Sequence, residues 1–260
     1  MRVFTVSDLH LDFKPNREWL KQLSKLDYQQ DCLILAGDIS DKEEHQLLCF
    51  NSLNKVFKHL LFVPGNHDLW AKRSRWSNSL ERFYAINQMA HDAGWHATAL
   101  HLPELSIVPL FSWYDFSFGP CDDYLQERWM DFSRCDWGTS FAALDKYQQQ
   151  PPAINDFFLS LNESRLCSNA ENIISFSHFL PRIDVMPDYI PEIHQKLYPI
   201  LGSAKLDKQI KTLGAQCHIY GHSHVNRDVT LDGIRYVNNA FGYPTETRIA
   251  RKKLLLISEY

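Results

Sequence analysis

The stretch Pro64-Gly65-Asn66-His67-Asp68, which follows the apolar run Leu60-Leu61-Phe62-Val63, constrains this chain more than any other. A short apolar run closed by Pro-Gly reads as a buried strand meeting a tight loop, so the polar triplet is delivered to the carboxyl end of that strand. In open α/β sheets that end is where ligands bind. Four further clusters repeat the arrangement: Asp8-Leu9-His10, Gly37-Asp38, Ser177-His178 and Gly221-His222-Ser223-His224 each follow a short apolar run of their own. Taken singly, each has a plain structural explanation. Gly-Asn-His-Asp makes an Asn-rich turn, Asp8 or Asp38 caps a helix, and His178 is a satisfied core histidine. Five clusters of metal-ligand type, all at strand ends, do not arise as five separate accidents.

Along the chain, Val3 to Val6 reads as the first strand and empties into Asp8 and His10. Residues two apart on an extended segment point the same way, so this carboxylate and imidazole are expected to face one metal. Cys32 to Ala36 ends at Gly37-Asp38, with a helix expected around Trp19 to Leu26 in between. That strand-helix-strand order implies a parallel pair. A helix over Glu43 to Phe57 leads to the strand before Asn66, and Leu80, Phe83, Tyr84, Asn87 and Ala90 recur at helical spacing until Gly94 stops them. Leu105 to Leu110 reads as a strand. Aromatic residues then crowd the segment 111–140, a long excursion from the sheet and a candidate insertion or lid. Helices are expected at 139–149 and 154–166, separated by Pro151-Pro152. Ile173 to Phe176 delivers His178, and the proline-rich stretch 182–200 crosses the rim as a loop. After a helix over Leu206 to Leu213, Cys217 to Tyr220 delivers His222 and His224. Val229 to Leu231 and Ile234 to Val237 form a hairpin about Asp232-Gly233, and Lys253 to Ile257 is the last strand.

With 260 residues, 45% of them hydrophobic, the chain can bury the core of one large α/β domain spanning 1–260. A net charge of −4 with mixed signs argues against a nucleic-acid footprint and against a polybasic membrane patch. No apolar run approaches the length of a membrane span, and residues 1–7 lack a secretory signal. The six cysteines contain no close pair, and Cys32 and Cys217 sit in strand-like runs as small hydrophobes. Reduced thiols in a cytoplasmic protein are the expectation.

The strand-end donors are Asp8, His10, Asp38, Asn66, His178, His222 and His224. Two carboxylates, an amide oxygen and four imidazoles, without a thiolate, suit borderline transition metals. Seven donors exceed one tetrahedral ion. They suit two ions sharing a bridging carboxylate, which clamp the attacking and leaving oxygens of an in-line phosphoryl displacement. Asp-x-His, Gly-Asp, Gly-Asn-His-Asp, a lone His and Gly-His-x-His, in this order from 8 to 224, resemble the calcineurin-like metallophosphoesterases. The resemblance implies an α/β fold with a two-sheet β-sandwich flanked by helices and the metals at the strands' carboxyl edges. It implies that Asp8, His10 and His224 hold the first ion, that Asn66, His178 and His222 hold the second, and that Asp38 bridges. The ions would be divalent or trivalent (Mn, Fe, Zn, Co or Ni, with Mn favoured), and a bridging hydroxide would attack phosphorus. His67 would protonate the leaving oxygen, held by a hydrogen bond to Asp41; Asp68 is the other candidate to orient it, with capping of the turn the preferred reading. The histidines outside these motifs, His218 among them, are read as structural.

Protein serine/threonine phosphatases of this family carry an Arg after the dyad Asp, a second before Gly-Asn-His-Glu, and the Glu itself. Here those positions are Lys42, Pro64 and Asp68, which leaves a weaker clamp on a dianionic phosphate. The runs 68–73, 108–114 and 242–246 are similar to a group of metallophosphoesterases of unassigned substrate. In them Trp70, Trp113, Tyr114 and Tyr243 either stack a base or aryl group or fill the underside of a lid, and Arg73, Arg75 or Arg248 is placed near the phosphate. The expected activity is a phosphodiesterase or phosphatase acting on a small or nucleotide-like phosphoester. The alternatives are a non-catalytic scaffold of the same fold, which the complete donor set disfavours, and a nuclease, which the net charge disfavours.

Overall fold

The computed structural model describes residues 1–72 and 74–260, so Arg73 lies outside the described residues. Strands β1 (Arg2–Val6) and β2 (Cys32–Leu35) are parallel and joined through α1 (Lys14–Gln22), with Val3 opposite Cys32 and Val6 opposite Leu35. Through α2 (Glu43–Leu53) the chain adds β3 (His59–Phe62), also parallel. The last strand, β10 (Leu255–Glu259), closes this first sheet antiparallel to β1, giving the order β10-β1-β2-β3. β2 is buried along its whole length, as a continuous apolar run in a parallel sheet must be.

After α3 (Ser79–Asp92) come β4 (Leu100–His101) and β5 (Leu105–Pro109), then α4 (Asp123–Arg128), α5 (Asp131–Arg134) and α6 (Gln150–Asn162). β6 (Asn172–Phe176), α7 (Glu192–Gln195), α8 (Ala204–Leu213), β7 (Cys217–Tyr220), β8 (Arg227–Leu231) and β9 (Ile234–Asn238) follow. The second sheet runs β4-β5-β6-β7-β9-β8, with β5, β6, β7 and β9 parallel in turn. The β8–β9 hairpin closes over Asp232 (φ 51) and Gly233 (φ 80), the two positive-φ positions that a two-residue primed turn requires. This is the expected pair of sheets flanked by helices.

Backbone hydrogen bonds continue past the strand ends and tie the two sheets together there. Ser7 N donates to Asn239 O at 3.1 Å and Phe241 N donates to Ser7 O at 2.8 Å, so the carboxyl ends of β1 and β9 meet across the sheets. One contiguous apolar cluster extends from Val3 to Ile257 beneath these ends.

Two local expectations are corrected. Residues 139–149 hold only the 3-10 turn Thr139–Phe141, because the Asp145 carboxylate accepts from the backbone N–H groups of Tyr147 and Gln148 and stabilises a turn instead of a helix. Pro151 and Pro152 do not separate two helices but lie in the first turn of α6, where a missing N–H removes no intrahelical bond.

Trp113 and Tyr114 are each 1% exposed; Trp113 packs edge-on against Trp137 and Phe179, both at 4.9 Å. They fill the underside of the excursion and present no face to a ligand. His218 is a satisfied core histidine, its two ring nitrogens within 2.8 Å of Ser175 Oγ and 3.0 Å of Ser177 Oγ, and burial pushes its pKa down to about 3. Among the described residues no helix is long and apolar enough to cross a membrane.

Candidate metal centre

All seven strand-end donors converge. Asp8, His10 and His224 form one group and Asp38, His178 and His222 another, with the ligating atoms of each group within 4.8 Å of one another. Asn66 Oδ1 joins the second group at 3.2 Å from His178 Nε2. Asp38 Oδ2 lies between the groups, 3.6 Å from His178 Nε2 and 4.0 Å from His10 Nε2.

The backbone reaches this convergence by a route different from the expected one. Asp8 (φ 54) and His10 (φ 42) do not continue an extended strand; both are left-handed, as are Asp38 (φ 57), His222 (φ 67) and His224 (φ 55). The only other non-glycine residues with positive φ among the described ones are Phe116 and Asp232. Such conformations cost on the order of 1 kcal/mol or more each and persist only where the surroundings over-determine them, so their concentration on five donors marks a functional site. The strained loops are bonded to one another: Asp8 N donates to Gly37 O at 2.8 Å, His10 N to Asp38 O at 3.1 Å and Gly221 N to His178 O at 2.9 Å. Asp68 completes the frame as the turn cap expected of it. Its carboxylate accepts from the backbone N–H groups of Asp38, Ile39, Ser40 and Gly65 at 2.8 to 3.1 Å, while burial pushes its pKa up to about 6. Gly65 is required by the close approach here, since a Cβ would meet the Asp38 carboxylate and the His178 ring.

The outward partners of these side chains determine which atoms face inward. His178 Nδ1 is 2.8 Å from Ala36 O, His222 Nε2 is 3.0 Å from Ile200 O, and Asn66 Nδ2 donates to Asp131 Oδ1 at 2.9 Å. A carbonyl or carboxylate oxygen can only accept, so each of these atoms carries the hydrogen. The atoms left facing one another, His178 Nε2, His222 Nδ1 and Asn66 Oδ1, are therefore bare lone pairs 3.2 Å apart along both edges that meet at His178. Ligands at ordinary Zn–N distances in a tetrahedron lie about 3.3 Å apart, so this spacing fits a shared cation. In the other group His224 Nδ1 is 2.7 Å from Glu246 Oε2, and its Nε2 points at His10 Nε2 (3.0 Å) and Asp8 Oδ1 (3.3 Å). Carboxylate and carbonyl partners on the outer nitrogens are the usual support of metal-ligating histidines.

The charges agree with this reading. Burial pushes the Asp38 carboxyl well above its usual range, with the nearby Asp68 and Asp8 adding to the effect. Burial lowers His10, His178 and His222 from the normal imidazole value. For His224, burial is outweighed by Asp8 and Glu246, which lift its pKa to about 9. Asp38 and His224 thus hold protons in the absence of metal, and a cation bound among these donors would take the place of those protons.

His67 faces the same hollow. Its ring stacks on Trp70 at 3.9 Å, its Nε2 is 4.0 Å from Asp38 Oδ2, and burial followed by the nearby His224 and His178 pushes its pKa to about 3. The expected Asp41–His67 hydrogen bond is not formed among the described residues. Burial, and then the neighbouring Asp12, raise the pKa of the half-buried Asp41 carboxyl instead, and the Asp41 backbone carbonyl accepts from Arg82 Nη2 at 2.6 Å.

Asp131 carries a role that the sequence did not reveal. It is 2% exposed on α5, and it accepts from Asn66 Nδ2, from Trp70 Nε1 at 2.7 Å and from Trp129 Nε1 at 2.9 Å. One carboxylate from the aromatic excursion thus orients a donor, the platform under His67 and a wall of the cavity. Glu246, the last residue of the run 242–246, is the partner of His224.

The donors open into a cavity of about 190 Å³ walled by His67, Trp129, Leu197, Ile200, Tyr243 and Glu246, with no Lys or Arg among its described lining. Tyr243 tilts over His10 at 4.4 Å. Arg75 is ion-paired with Glu43 at 2.7 Å and lines a different cleft, and Arg248 is exposed and absent from the lining. Neither serves as the phosphate neighbour that the motifs suggested.

Two mainly parallel sheets with nitrogen and oxygen donors gathered at their carboxyl edges make a candidate metal-dependent enzyme site. A model of the calcineurin-like phosphoesterase family matches residues 1–226, which include every donor above; the chain belongs to that family and is a metallophosphoesterase. A curated relative, the [acyl-carrier-protein] phosphodiesterase PptH of Mycobacterium tuberculosis, is 26% identical over 267 residues, covering 95% of this chain and 79% of that protein. The crystal structure of the phosphopantetheinyl hydrolase PptH from the same organism superposes with a TM-score of 0.76 at 23% identity, covering 98% of this chain and 95% of that one, which shows a shared fold.

Proposed function

We propose that this enzyme is a dinuclear phosphodiesterase acting on a singly charged phosphodiester that carries a small organic group. The observation behind this reading is the convergence of two sets of nitrogen and oxygen donor atoms on either side of Asp38. Asp8, His10 and His224 would hold one ion, Asn66, His178 and His222 the other, with Asp38 shared and manganese the favoured metal. Two ions held there would supply a water activated near neutral pH and would neutralise the phosphoryl oxygens. Burial keeps His67 neutral in the resting site; an anionic phosphoryl group beside it draws a proton onto the ring, which His67 then gives to the leaving oxygen. Trp70 and Asp131 hold that ring, and Glu246 fixes the tautomer of His224. The unbridged cysteines, five of them buried, support a cytoplasmic enzyme.

The cavity favours a diester over a monoester. Its described lining has no Lys or Arg and includes the Glu246 carboxylate, so a phosphate dianion is less well served than a monoanion. The names of the mycobacterial relative agree with this choice, and we take a phosphopantetheinyl-type diester as the substrate class. Protein reconstituted with manganese is expected to hydrolyse bis-p-nitrophenyl phosphate with a kcat/KM at least about tenfold above that for p-nitrophenyl phosphate, a difference of roughly 1.4 kcal/mol, and to lose both activities to a chelator. A preference for the monoester would overturn the choice of substrate class; failure to cleave either ester would overturn the metal-centre reading.

A further inference from the structure

Beside the metal cavity lies a second and larger hollow, about 460 Å³, lined mainly by apolar side chains that include Met186, Ile190, Tyr198, Val225 and Ile249. Leu197, Leu201, Ser223 and Glu246 line both cavities, so the two adjoin, with donors in one and mainly hydrocarbon in the other. One wall is the segment 182–201, which crosses the rim with only the short elements Ile183–Val185, Glu192–Gln195 and Tyr198–Ile200. The other wall comes from the loop after His224 and from Ile249. A segment of that length with so little regular structure, placed against an active site, is usually there for binding.

The volume and chemistry limit the occupant. The metal cavity, at about 190 Å³, takes a phosphoryl group and little more, so a larger ester substituent extends beyond it, and the adjoining hollow lies next to it. The second hollow falls within the range of small-molecule sites, roughly 300 to 1,000 Å³. Its described lining contains no Lys or Arg, and the titratable groups other than tyrosine facing it are His194 and Glu246. That lining disfavours a second anionic group, such as the further phosphates of a nucleotide, and favours an uncharged, flexible chain whose hydrocarbon parts meet the apolar walls and whose polar groups meet Ser223, His194 and the tyrosines. We propose that this hollow binds the organic arm of the phosphodiester, an uncharged pantetheine-like chain, and so determines which diesters the enzyme prefers. The proposal rests on the diesterase reading above.

Two chromogenic diesters with the same leaving group separate the proposal from that reading: p-nitrophenyl phosphate esterified to pantetheine, and methyl p-nitrophenyl phosphate. In each, water adds to phosphorus and p-nitrophenolate leaves, so only the arm differs. The wild-type enzyme is expected to favour the pantetheine ester. Ile190→Asp and Ile249→Asp, on opposite walls, are each expected to lower the ratio of the two kcat/KM values at least tenfold, whereas a folding defect would lower both values and leave the ratio alone. In calorimetry, pantetheine without phosphate should bind the metal-free wild-type protein and not the Ile190→Asp variant. A ratio within twofold of wild type in both variants, or equal pantetheine binding, would overturn the proposal. A wild-type enzyme that cleaves neither diester would instead sink the reading beneath it.

Discussion

His67→Ala is expected to lower kcat on an alkyl phosphodiester by about 10²- to 10⁴-fold, the range usual for a positioned general acid, while the protein keeps its full complement of metal. The effect should shrink sharply on bis-p-nitrophenyl phosphate, because p-nitrophenolate leaves without needing a proton. The expectation follows from geometry. His67 lines the cavity and is held on Trp70, whereas the six donors other than Asp38 divide into two complete sets without it. His67 also lies near His10 and Asp38 in a grouping that could itself bind an ion. Metal analysis of the variant decides between these roles: loss of one equivalent of metal would make His67 a ligand and remove it as the acid.

The second large effect concerns Asp131. Asp131→Leu removes the acceptor for Asn66 Nδ2, Trp70 Nε1 and Trp129 Nε1 at once. The Asn66 amide is then free to turn its NH2 inward, and a donor becomes a group that repels a cation. Loss of such a supporting partner typically costs about 10- to 100-fold in metal affinity or activity. Binding isotherms for manganese should therefore show one of the two sites weakened by that amount, with the Asp8–His10–His224 site little changed. Asp131→Asn, which retains an acceptor oxygen, should recover part of the affinity. Equal weakening of both sites, or no recovery by asparagine, would mean that Asp131 serves only to fold the excursion.

The parts of this centre that were legible in the sequence are those encoded locally. A buried strand writes itself as a short apolar run and its terminus as a polar cluster, so all seven donors could be placed before any fold was known. The Asp232-Gly233 hairpin and the parallel β1–β2 pair follow from equally local signals. Contacts between distant residues could not be read in this way. Asp131 meets Asn66 across 65 positions, and nothing near either residue announces the other. Glu246 and His224 are 22 apart. The left-handed backbone at five donors was likewise hidden, since it is imposed by loops bonding to one another and not by the residues' own preferences. The aromatic excursion divides its roles in a way that composition cannot specify: Trp113 and Tyr114 are core, while Trp129, sixteen or fewer positions away, walls the cavity.

The central claim is that distant oxygen and nitrogen donors gather about Asp38 to hold a pair of cations. A crystal soaked in manganese and measured at a wavelength where manganese scatters anomalously tests it directly. Two peaks are expected about 3.5 to 4 Å apart, one among Asp8, His10 and His224 and one among Asn66, His178 and His222, with the Asp38 carboxylate touching both. A single peak, or none at saturating metal, would contradict the account.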